Sequence, residues 1–464
     1  MTHSIEVDML SVFAGPTRLM GPVSFSVAPG GTLVIMGETG AGKSLIAQAI
    51  LGTLPGALRA EGHITINGSR VDTLPVAERA AMWGHELATL PQEPWRALDP
   101  LMRAFRQVTE SYRFVAGHPP VQAREDTAEA FQALGLSGAE DRLPGALSGG
   151  MAQRVAFAAA TAGKAPILIA DEPTKGLDAA RHAKVVDLLA KVPATGGTLL
   201  AITHEVAVTR RLGGHVVVLR DGQLVEQGPA KTVLSAPADS YTRALLDADP
   251  QCWPHSNPHS AGDVILTAQD LAIARDGKHL IDGFNLSLKQ GERVALTGPS
   301  GIGKTTLLDA LAGLLPPASG HVTRAQGLSR HAVQKLYQDP PAAFPTRIPL
   351  EKSLRDVARL HKTDWGFVLR TLEHLGVRPS LLSRRPDEVS GGELQRISIA
   401  RALTVRPSVL LADEPTSRLD PITQRDTLRL LEKVAAEENI AVVLVTHDRH
   451  IADKWADRIL KLAK

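Results

Sequence analysis

The chain has 464 residues, of which 44% are apolar and 22% charged, the proportions of an ordinary globular protein. Its formal net charge of +2 argues against nucleic-acid binding through a basic surface and against a polybasic membrane anchor. Cys252 is the one cysteine, which excludes a disulfide within the chain and fits a reducing compartment.

The N-terminus lacks the basic and apolar regions of a secretory signal, and we expect none. A run of about 18 apolar residues, the minimum for a transmembrane helix, is also missing from the sequence. The best candidate, residues 155–170, is interrupted by Gly163, Lys164 and Pro166, and its second part is typical of a buried strand. If the protein acts at a membrane, we expect other subunits to supply the spans.

One series of motifs occurs twice along the chain, in the same order. This repeat predicts domains over residues 1–248 and 263–464, joined by a linker over residues 249–262 that is rich in Pro, Ser and His. Each domain has a β-rich start, then an apolar strand, a Gly-rich loop and a helix, and later two more apolar strands. Because apolar strands alternate with helices, we predict an α/β fold with a parallel sheet covered on both faces.

The Gly-rich loops are GETGAGKS at residues 37–44 and GPSGIGKT at residues 298–305. Their glycines allow backbone N–H groups to surround phosphate oxygens, and the next helix adds the positive end of its dipole. Lys43 and Lys304 are expected to reach the β- and γ-phosphates. Ser44 and Thr305 are expected to offer a hydroxyl to Mg²⁺.

The two domains differ in the length of the stretch between the Gly-rich loop and the later apolar strands. Lys43 to Gln92 is about fifteen residues longer than Lys304 to Gln338. The extra piece, residues 63–82, is typical of a hairpin followed by the start of a helix. The first domain also continues beyond its last histidine into a strand-turn-strand with an Asp-Gly turn. The second domain is therefore interpreted as the trimmed copy.

A Ser-Gly-Gly sequence opens a helix in each domain, at Ser148, Gly149 and Gly150 and at Ser390, Gly391 and Gly392. A serine N-cap followed by glycines predicts a bare helix N-terminus that can meet an anion. Each domain already has a phosphate loop, so this second anion site makes sense if it faces the nucleotide of the other domain. Plain helix capping is the alternative for a single copy.

An apolar strand ending in Asp-Glu follows in each domain, ILIADE at residues 167–172 and VLLADE at residues 409–414. Asp171 and Asp413 are expected to hold Mg²⁺, directly or through water, and Glu172 and Glu414 to polarise the attacking water. A solvated acidic turn is the alternative for either copy alone, and the upstream phosphate loop argues against it.

These motifs resemble those of the ATP-binding cassette (ABC) ATPases. Three further pairs complete the set: Gln92 and Gln338, Asp178 and Asp420, and His204 and His447. The resemblance covers both halves and implies two tandem P-loop nucleotide-binding domains, each with a RecA-like core, a helical subdomain and an antiparallel β-subdomain, the last abbreviated in the second half. It implies hydrolysis of ATP with Mg²⁺, with the catalytic residues Glu172, Glu414, His204 and His447.

The resemblance also assigns the nucleotide contacts. In the first domain these are Gly37, Gly40, Gly42, Lys43, Ser44, Gln92, Ser148, Gly149, Gly150, Asp171 and Asp178. In the second they are Gly298, Gly301, Gly303, Lys304, Thr305, Gln338, Ser390, Gly391, Gly392, Asp413 and Asp420. Mg²⁺, bound with ATP, would be held by Ser44, Gln92 and Asp171, and by Thr305, Gln338 and Asp413. Cassettes of this family pair head to tail, so Lys43 would share a nucleotide with Ser390, and Lys304 with Ser148. No key hydrolytic residue is missing, and we predict two competent sites.

A narrower resemblance is to the importers of oligopeptides, dipeptides and nickel, carried by ALDPLMRAFRQVTE, QDPPAAFPTRIPLEKSL and ADSYTRALLDADP. It implies an energy-coupling subunit on the cytoplasmic face of the cell membrane, working with two transmembrane permease subunits and a periplasmic solute-binding protein, without nucleic acid. Residues 98–102 and 344–347 would meet the membrane subunits. Peptides, nickel or another chelated metal, and related small solutes are the expected substrates.

Two features depart from the family pattern. The usual adenine-stacking aromatic is replaced by Ala14, with Phe13 beside it, and by Arg275. This predicts weak stacking, or stacking through the guanidinium plane. The four-cysteine iron–sulfur motif of some relatives cannot form from Cys252 alone. Cys252, His255 and His259 have spacing compatible with a metal, but a solvated linker is favoured.

Two other functions stay open. A soluble twin cassette could act on ribosomes or DNA, although such proteins usually carry a long charged linker or zinc-binding cysteines. An exporter ATPase is the other alternative, against which the glutamine-loop segments argue by analogy.

Overall fold

The computed structural model describes residues 4–92, 97–174, 179–256, 262–275, 277–299, 301–329, 331–417 and 419–462. Contacts divide the chain into two compact units, Met1–Asp249 and Pro250–Lys464. Each unit is an α/β fold with one mainly parallel sheet and one antiparallel sheet, as the motif order predicts.

Ten strands and nine helices of the first unit are described, numbered here in chain order. The strands are β1 (Ile5–Ala14), β2 (Thr17–Val27), β3 (Thr32–Gly37), β4 (Leu58–Ile66), β5 (Ser69–Arg70), β6 (Leu87–Leu90), β7 (Ile167–Asp171), β8 (Thr198–Ile202), β9 (His215–Arg220) and β10 (Gln223–Pro229). The helices are α1 (Lys43–Leu51), α2 (Val76–Ala81), α3 (Ala104–Phe114), α4 (Pro120–Ala133), α5 (Gly149–Thr161), α6 (Ala179–Ala194), α7 (Val206–Leu212), α8 (Ala230–Ser235) and α9 (Ser240–Asp247).

The main sheet of the first unit has the order β10-β9-β3-β8-β7-β6. Five of its strands are parallel, and β10 pairs antiparallel with β9 at the edge, through the Asp-Gly turn at Asp221 and Gly222. Every residue of β3 and β8 is buried, because both faces of the sheet are covered. The phosphate loop and the later motifs follow the carboxyl ends of β3, β7 and β8, where ligands bind in open α/β sheets.

The antiparallel sheet of the first unit has the order β2-β1-β4-β5. The predicted hairpin and helix start are present as β4, β5 and α2. Arg79 of α2 donates hydrogen bonds from Nη2 to the carbonyls of Ala49 and Ile50, and Trp83 donates from Nε1 to that of Leu51. The extra piece thereby caps the C-terminal end of α1.

The second unit repeats the plan with fewer elements. Its described strands are β11 (Val264–Arg275), β12 (Lys278–Lys289), β13 (Arg293–Thr297), β14 (Ser319–Arg324), β15 (Val333–Leu336), β16 (Val409–Asp413), β17 (Ala441–Val445) and β18 (Arg458–Lys461). Its described helices are α10 (Lys304–Ala312), α11 (Leu350–His361), α12 (Trp365–His374), α13 (Gly391–Leu403), α14 (Pro421–Glu437) and α15 (Arg449–Trp455).

The main sheet of the second unit has the order β15-β16-β17-β13-β18, and its antiparallel sheet is β12-β11-β14. The antiparallel sheet has three strands against four in the first unit, so the predicted trimming is confirmed. At the C-terminal end of α10, one side chain, Arg324 of β14, donates from Nη2 to the carbonyl of Ala312.

Part of the predicted linker belongs to the core of the second unit. Pro250–Cys252 form a 3-10 turn, and Trp253 is 8% exposed within the cluster that also holds Trp455. Ser256 donates its backbone N–H to the carbonyl of Lys454 at 2.8 Å. Composition alone did not predict this packing, because a single aromatic residue leaves no periodic apolar signal.

Among the residues that the structure describes, no helix is both long and apolar enough to cross a bilayer.

Candidate functional site

The two phosphate loops close around their lysines. Gly42 and Gly303 are the N-caps of α1 and α10 and have φ of 86° and 106°, a left-handed conformation that favours glycine. Lys43 is 5% exposed and donates from Nζ to the carbonyls of Gly37 at 2.8 Å and Glu38 at 2.7 Å. The ammonium group therefore lies inside the loop, where a phosphate would meet it.

The second loop has the same geometry. Lys304 is 6% exposed, and its Nζ donates to the carbonyls of Gly298 at 2.9 Å and Pro299 at 3.0 Å. Both lysines predicted to bind phosphate are thus held by the backbone of their own loop.

The two glutamates predicted to be catalytic have an unusual backbone conformation. Glu172 and Glu414 follow the ends of β7 and β16 with φ of 43° and 44°. Left-handed residues other than glycine are uncommon, and they concentrate at functional sites where the surrounding structure holds them. The sequence gives no signal for this conformation, which is the same in both units.

Glu172 is the centre of a group of polar side chains in the first unit. Gln92 donates from Nε2 to Oε2 of Glu172 at 2.7 Å. Nδ1 of His204 lies 3.4 Å, and Nζ of Lys43 4.0 Å, from Oε1 of the same carboxylate. Three residues predicted from separate motifs therefore meet at the carboxylate of Glu172, which is 8% exposed.

The second unit repeats this arrangement around Glu414. Gln338 donates from Nε2 to Oε2 of Glu414 at 3.0 Å, and Nε2 of His447 lies 2.5 Å from Oε1. The repeated glutamine–glutamate–histidine contact is a geometry in which an attacking water can be oriented.

The groups predicted to hold Mg²⁺ are all oxygen donors: hydroxyl, amide and carboxylate. This is the set that Mg²⁺ prefers. In the second unit the hydroxyl of Thr305 is hydrogen-bonded to Asp413. Burial raises the pKa of Asp413, and Lys335 and Thr305 oppose this rise. The donor chemistry of both units fits the metal.

The Ser-Gly-Gly residues lie at the N-termini of α5 and α13, as predicted. The expectation of a bare helix end is wrong for α13. Ser390 accepts from the backbone N–H of Glu393, and the Glu393 carboxylate accepts from the backbone N–H of Ser390, which forms a capping box. Burial raises the pKa of Glu393, but these hydrogen bonds and Arg378 outweigh it, and the pKa lies below its ordinary value.

The aspartates Asp178 and Asp420, predicted as nucleotide contacts, have different outcomes. Asp178 lies outside the described residues. Asp420 is the N-cap of α14, where its side chain accepts from the backbone N–H of Thr423 at 3.0 Å.

The segments predicted to meet membrane subunits are partly ordered by internal contacts. Gln107 of α3 accepts from the backbone N–H of Asp99 and donates to the carbonyl of Met102. Leu98 is buried, whereas Leu101 is 87% exposed at the tip of the turn. In the second unit Phe344 is buried against the core, so Leu98 and Phe344 are not surface residues.

At the predicted base-binding positions, Arg59 covers Phe13, with its guanidinium carbon 5.2 Å from the ring centroid. Ala14 and Arg275 end β1 and β11. In the linker, Cys252 is exposed, and His255 lies against Lys454 and Asp453. His259 lies outside the described residues.

Two groups near the site were not predicted. Glu205, next to His204, accepts from Thr174 Oγ1 at 2.5 Å, and its Oε2 lies 2.6 Å from His182 Nε2. Burial raises the pKa of Glu205, but the contacts with His182, the charge of His204 and the Thr174 hydroxyl hold it below its ordinary value. The second group is Lys335 with its two carboxylate partners. Neither belongs to a motif, and pairing across elements is not visible in one sequence.

Comparison with known proteins gives the following. The sequence profile of the ABC transporter family matches residues 20–175 and 281–417. The peptidoglycan transport ATP-binding protein YejF of Agrobacterium fabrum is 32% identical, over 94% of this chain and 86% of the relative. The glutathione import ATP-binding protein GsiA of Escherichia coli is 30% identical, over 99% of this chain and 86% of the relative.

Among solved structures, the chain is similar to an archaeal ribosome recycling factor crystallised with an archaeal ribosomal stalk protein. The TM-score is 0.67 at 21% identity, over 93% of this chain and 83% of that one. At this identity the likeness supports the twin-cassette fold and gives no support to a ribosomal function.

Proposed function

The chain belongs to the ABC transporter family and is an ATPase with two cassettes, and on this premise we propose that it powers the import of a peptide-containing solute. The observation that carries the hydrolytic part of this proposal is the glutamine–glutamate–histidine contact, present in both units. Because the contact is repeated, we assign a hydrolytic role to both units.

In each site, the lysine of the phosphate loop, Lys43 or Lys304, binds the β- and γ-phosphates. The glutamate that follows the buried strand, Glu172 or Glu414, orients and polarises the attacking water. His204 and His447, which contact these glutamates, sense the γ-phosphate. Mg²⁺, when bound, neutralises phosphate charge and is held by the oxygen donors described above.

We assign the Ser-Gly-Gly helices to the nucleotide of the opposite phosphate loop, as in the family. Ser148 would then complete the site of Lys304, and Ser390 that of Lys43. Fusion on one chain fixes the pairing of unlike cassettes, since a short tether gives an effective concentration on the order of millimolar. ATP binding would close the pair, and hydrolysis would reopen it.

Import is supported by the relatives, whose names state transport of peptidoglycan and import of glutathione. We propose a substrate that contains a peptide, and nickel or another chelated metal as the less supported option. The partners would be two transmembrane permease subunits and a periplasmic solute-binding protein, with the chain peripheral on the cytoplasmic face.

Reconstitution tests the proposal. The chain is co-expressed with candidate permease subunits, placed in liposomes, and assayed for ATP hydrolysis with solute-binding protein and either glutathione, a muramyl peptide or a nickel chelate. We expect a peptide to stimulate hydrolysis and to accumulate in the vesicles. With the Glu172→Gln, Glu414→Gln double variant we expect neither stimulation nor accumulation. Ribosome association without binding to any permease would contradict the proposal.

A further inference from the structure

A buried lysine contacts the metal-binding carboxylate of the second unit. Nζ of Lys335, on β15, lies 2.7 Å from Oδ1 of Asp309 and 3.4 Å from Oδ2 of Asp413. Asp309 is on α10, the helix that follows the phosphate loop, and Asp413 ends β16. One ammonium group therefore joins the loop helix to the carboxylate assigned to Mg²⁺.

This contact is shielded from water. The side chains of Lys335 and Asp413 are 4% and 5% exposed, and that of Asp309 is 29% exposed. A charge held in such a place is screened little by salt, unlike a surface ion pair. Nζ also lies 5.5 Å from the ring centroid of Tyr337, whose face favours a cation.

The first unit has no such cation at the matching position. Lys335 pairs in register with Leu411, two residues before Asp413, and Thr89 pairs with Ile169, two residues before Asp171. Thr89 is exposed. Asp309, five residues after Lys304, is matched by Gln48, five residues after Lys43. Both members of the Lys335–Asp309 pair are thus replaced by neutral residues in the first unit.

A fixed positive charge beside a metal-binding carboxylate opposes a divalent cation and favours the bare triphosphate anion. We propose that Lys335 is a positioning residue that makes nucleotide binding at the second site less dependent on Mg²⁺ than binding at the first. The inference rests on the proposed two-site function. Asp309, whose Oδ1 lies 2.7 Å from Nζ, offsets part of the positive charge that faces Asp413.

The test measures how much Mg²⁺ strengthens nucleotide binding at each site. Both variants are made in the full chain. Lys43→Ala disables the first site and leaves the second intact, whereas Lys304→Ala disables the second site and leaves the first intact. The dissociation constant of a fluorescent, non-hydrolysable ATP analogue is measured in EDTA and in saturating Mg²⁺. The metal dependence is the dissociation constant in EDTA divided by the dissociation constant in saturating Mg²⁺. We expect this ratio to be about tenfold smaller for the second site than for the first.

Substitution of Lys335 then separates charge from packing. In the Lys43→Ala chain, Lys335→Met keeps the apolar stem and should raise the ratio about tenfold, whereas Lys335→Arg should leave it unchanged. Asp309→Asn should lower it, since the ammonium loses its offsetting charge. Lys352→Met, at an exposed lysine of α11, is the matched control and should have no effect.

A ratio unchanged within about twofold on Lys335→Met, with the fold retained by circular dichroism, would overturn the inference while the two-site function stands. If the Lys43→Ala chain bound no nucleotide at all, the proposed function of the second site would fail, and this inference with it.

Discussion

Nε2 of Gln92 donates a hydrogen bond of 2.7 Å to Oε2 of Glu172. Gln92 stands six residues before the segment 98–102 that is assigned to the membrane contact, and the carboxylate is the one assigned to the attacking water. The equivalent bond joins Gln338 to Glu414. We therefore expect a displacement of Gln92 or Gln338 to move the glutamate carboxylate to which its side chain is hydrogen-bonded.

Removal of this bond should slow turnover without preventing ATP binding. We expect Gln92→Ala with Gln338→Ala to lower kcat about tenfold to a hundredfold, because a misplacement of about 1 Å can cost that much. Steady-state phosphate release measures the change. Gln132→Ala, at an exposed residue of α4, should behave as the unchanged protein, and an unaltered kcat in the double variant would contradict the role of the bond.

Neutralising both glutamates should trap ATP. We predict that Glu172→Gln with Glu414→Gln lowers hydrolysis by about a hundredfold or more, since the amide cannot polarise the water. ATP should stay bound through gel filtration. Glu437→Gln, at an exposed residue, is the control. Hydrolysis that continued at the normal rate in the double variant would show that another group activates the water.

The pair of Glu205 and His182 should make stability depend on pH. The pKa of Glu205 lies below its ordinary 4.5 in the folded state, so its stabilising effect is complete above that value and is lost as the pH falls towards the folded pKa. Glu205→Gln should therefore cost about 1 to 2 kcal/mol at neutral pH. Urea unfolding at pH 7 and near pH 4 measures the difference in free energy of unfolding between the unchanged protein and Glu205→Gln. This difference should be smaller near pH 4, and a difference independent of pH would refute the charge-based account.

Leu101 offers a test of the membrane contact. Its side chain is 87% exposed at the tip of a turn held by Gln107. Leu101→Arg should abolish co-purification with the permease subunits and leave the melting temperature of the isolated chain unchanged, because the residue has few internal contacts. Val121→Arg, at a site 71% exposed on α4, should co-purify normally. Equal loss in both variants would indicate a general effect of charge.

Trp253 should stabilise the second unit although it precedes the predicted domain. With 8% of its surface exposed in that unit's core, Trp253→Ala should cost about 3 to 5 kcal/mol. The unfolding transition of the second unit, followed by denaturant titration, should move to lower denaturant, and that of the first should not. Phe114→Ala, at a residue 68% exposed, should change neither.

The motifs predicted much of the candidate site because each one encodes a local structure. The apolar runs before Asp171 and Asp413 predict buried strands, and the Gly-rich loops predict the helices that begin after Gly42 and Gly303; the structure contains all of them. The hairpin and helix of the first unit have no counterpart among the described residues of the second unit. They could also be predicted, since their turn residues and the length difference are visible in the sequence.

Tertiary contacts could not be predicted in the same way. The left-handed conformation of Glu172 depends on neighbours that are distant in sequence. In the sequence Lys335 looks like an ordinary strand residue, and its place beside Asp413 becomes visible only in the pairing of β15 with β16. The carboxylate of Glu393 is an exception, because it stands three residues after Ser390, which is the spacing of a capping box. This local spacing predicts a capped N-terminus for α13 and not a bare one.

The burial of Trp253 has a practical consequence for work on separate halves. A fragment begun at residue 263, where the sequence repeat starts, would lack a buried side chain of the core cluster that also holds Trp455 and would expose apolar surface of that cluster. Such a fragment should aggregate and unfold easily for reasons unrelated to ATP binding. A fragment begun at residue 250 keeps Trp253 in its core and is therefore the suitable fragment for comparing the two cassettes.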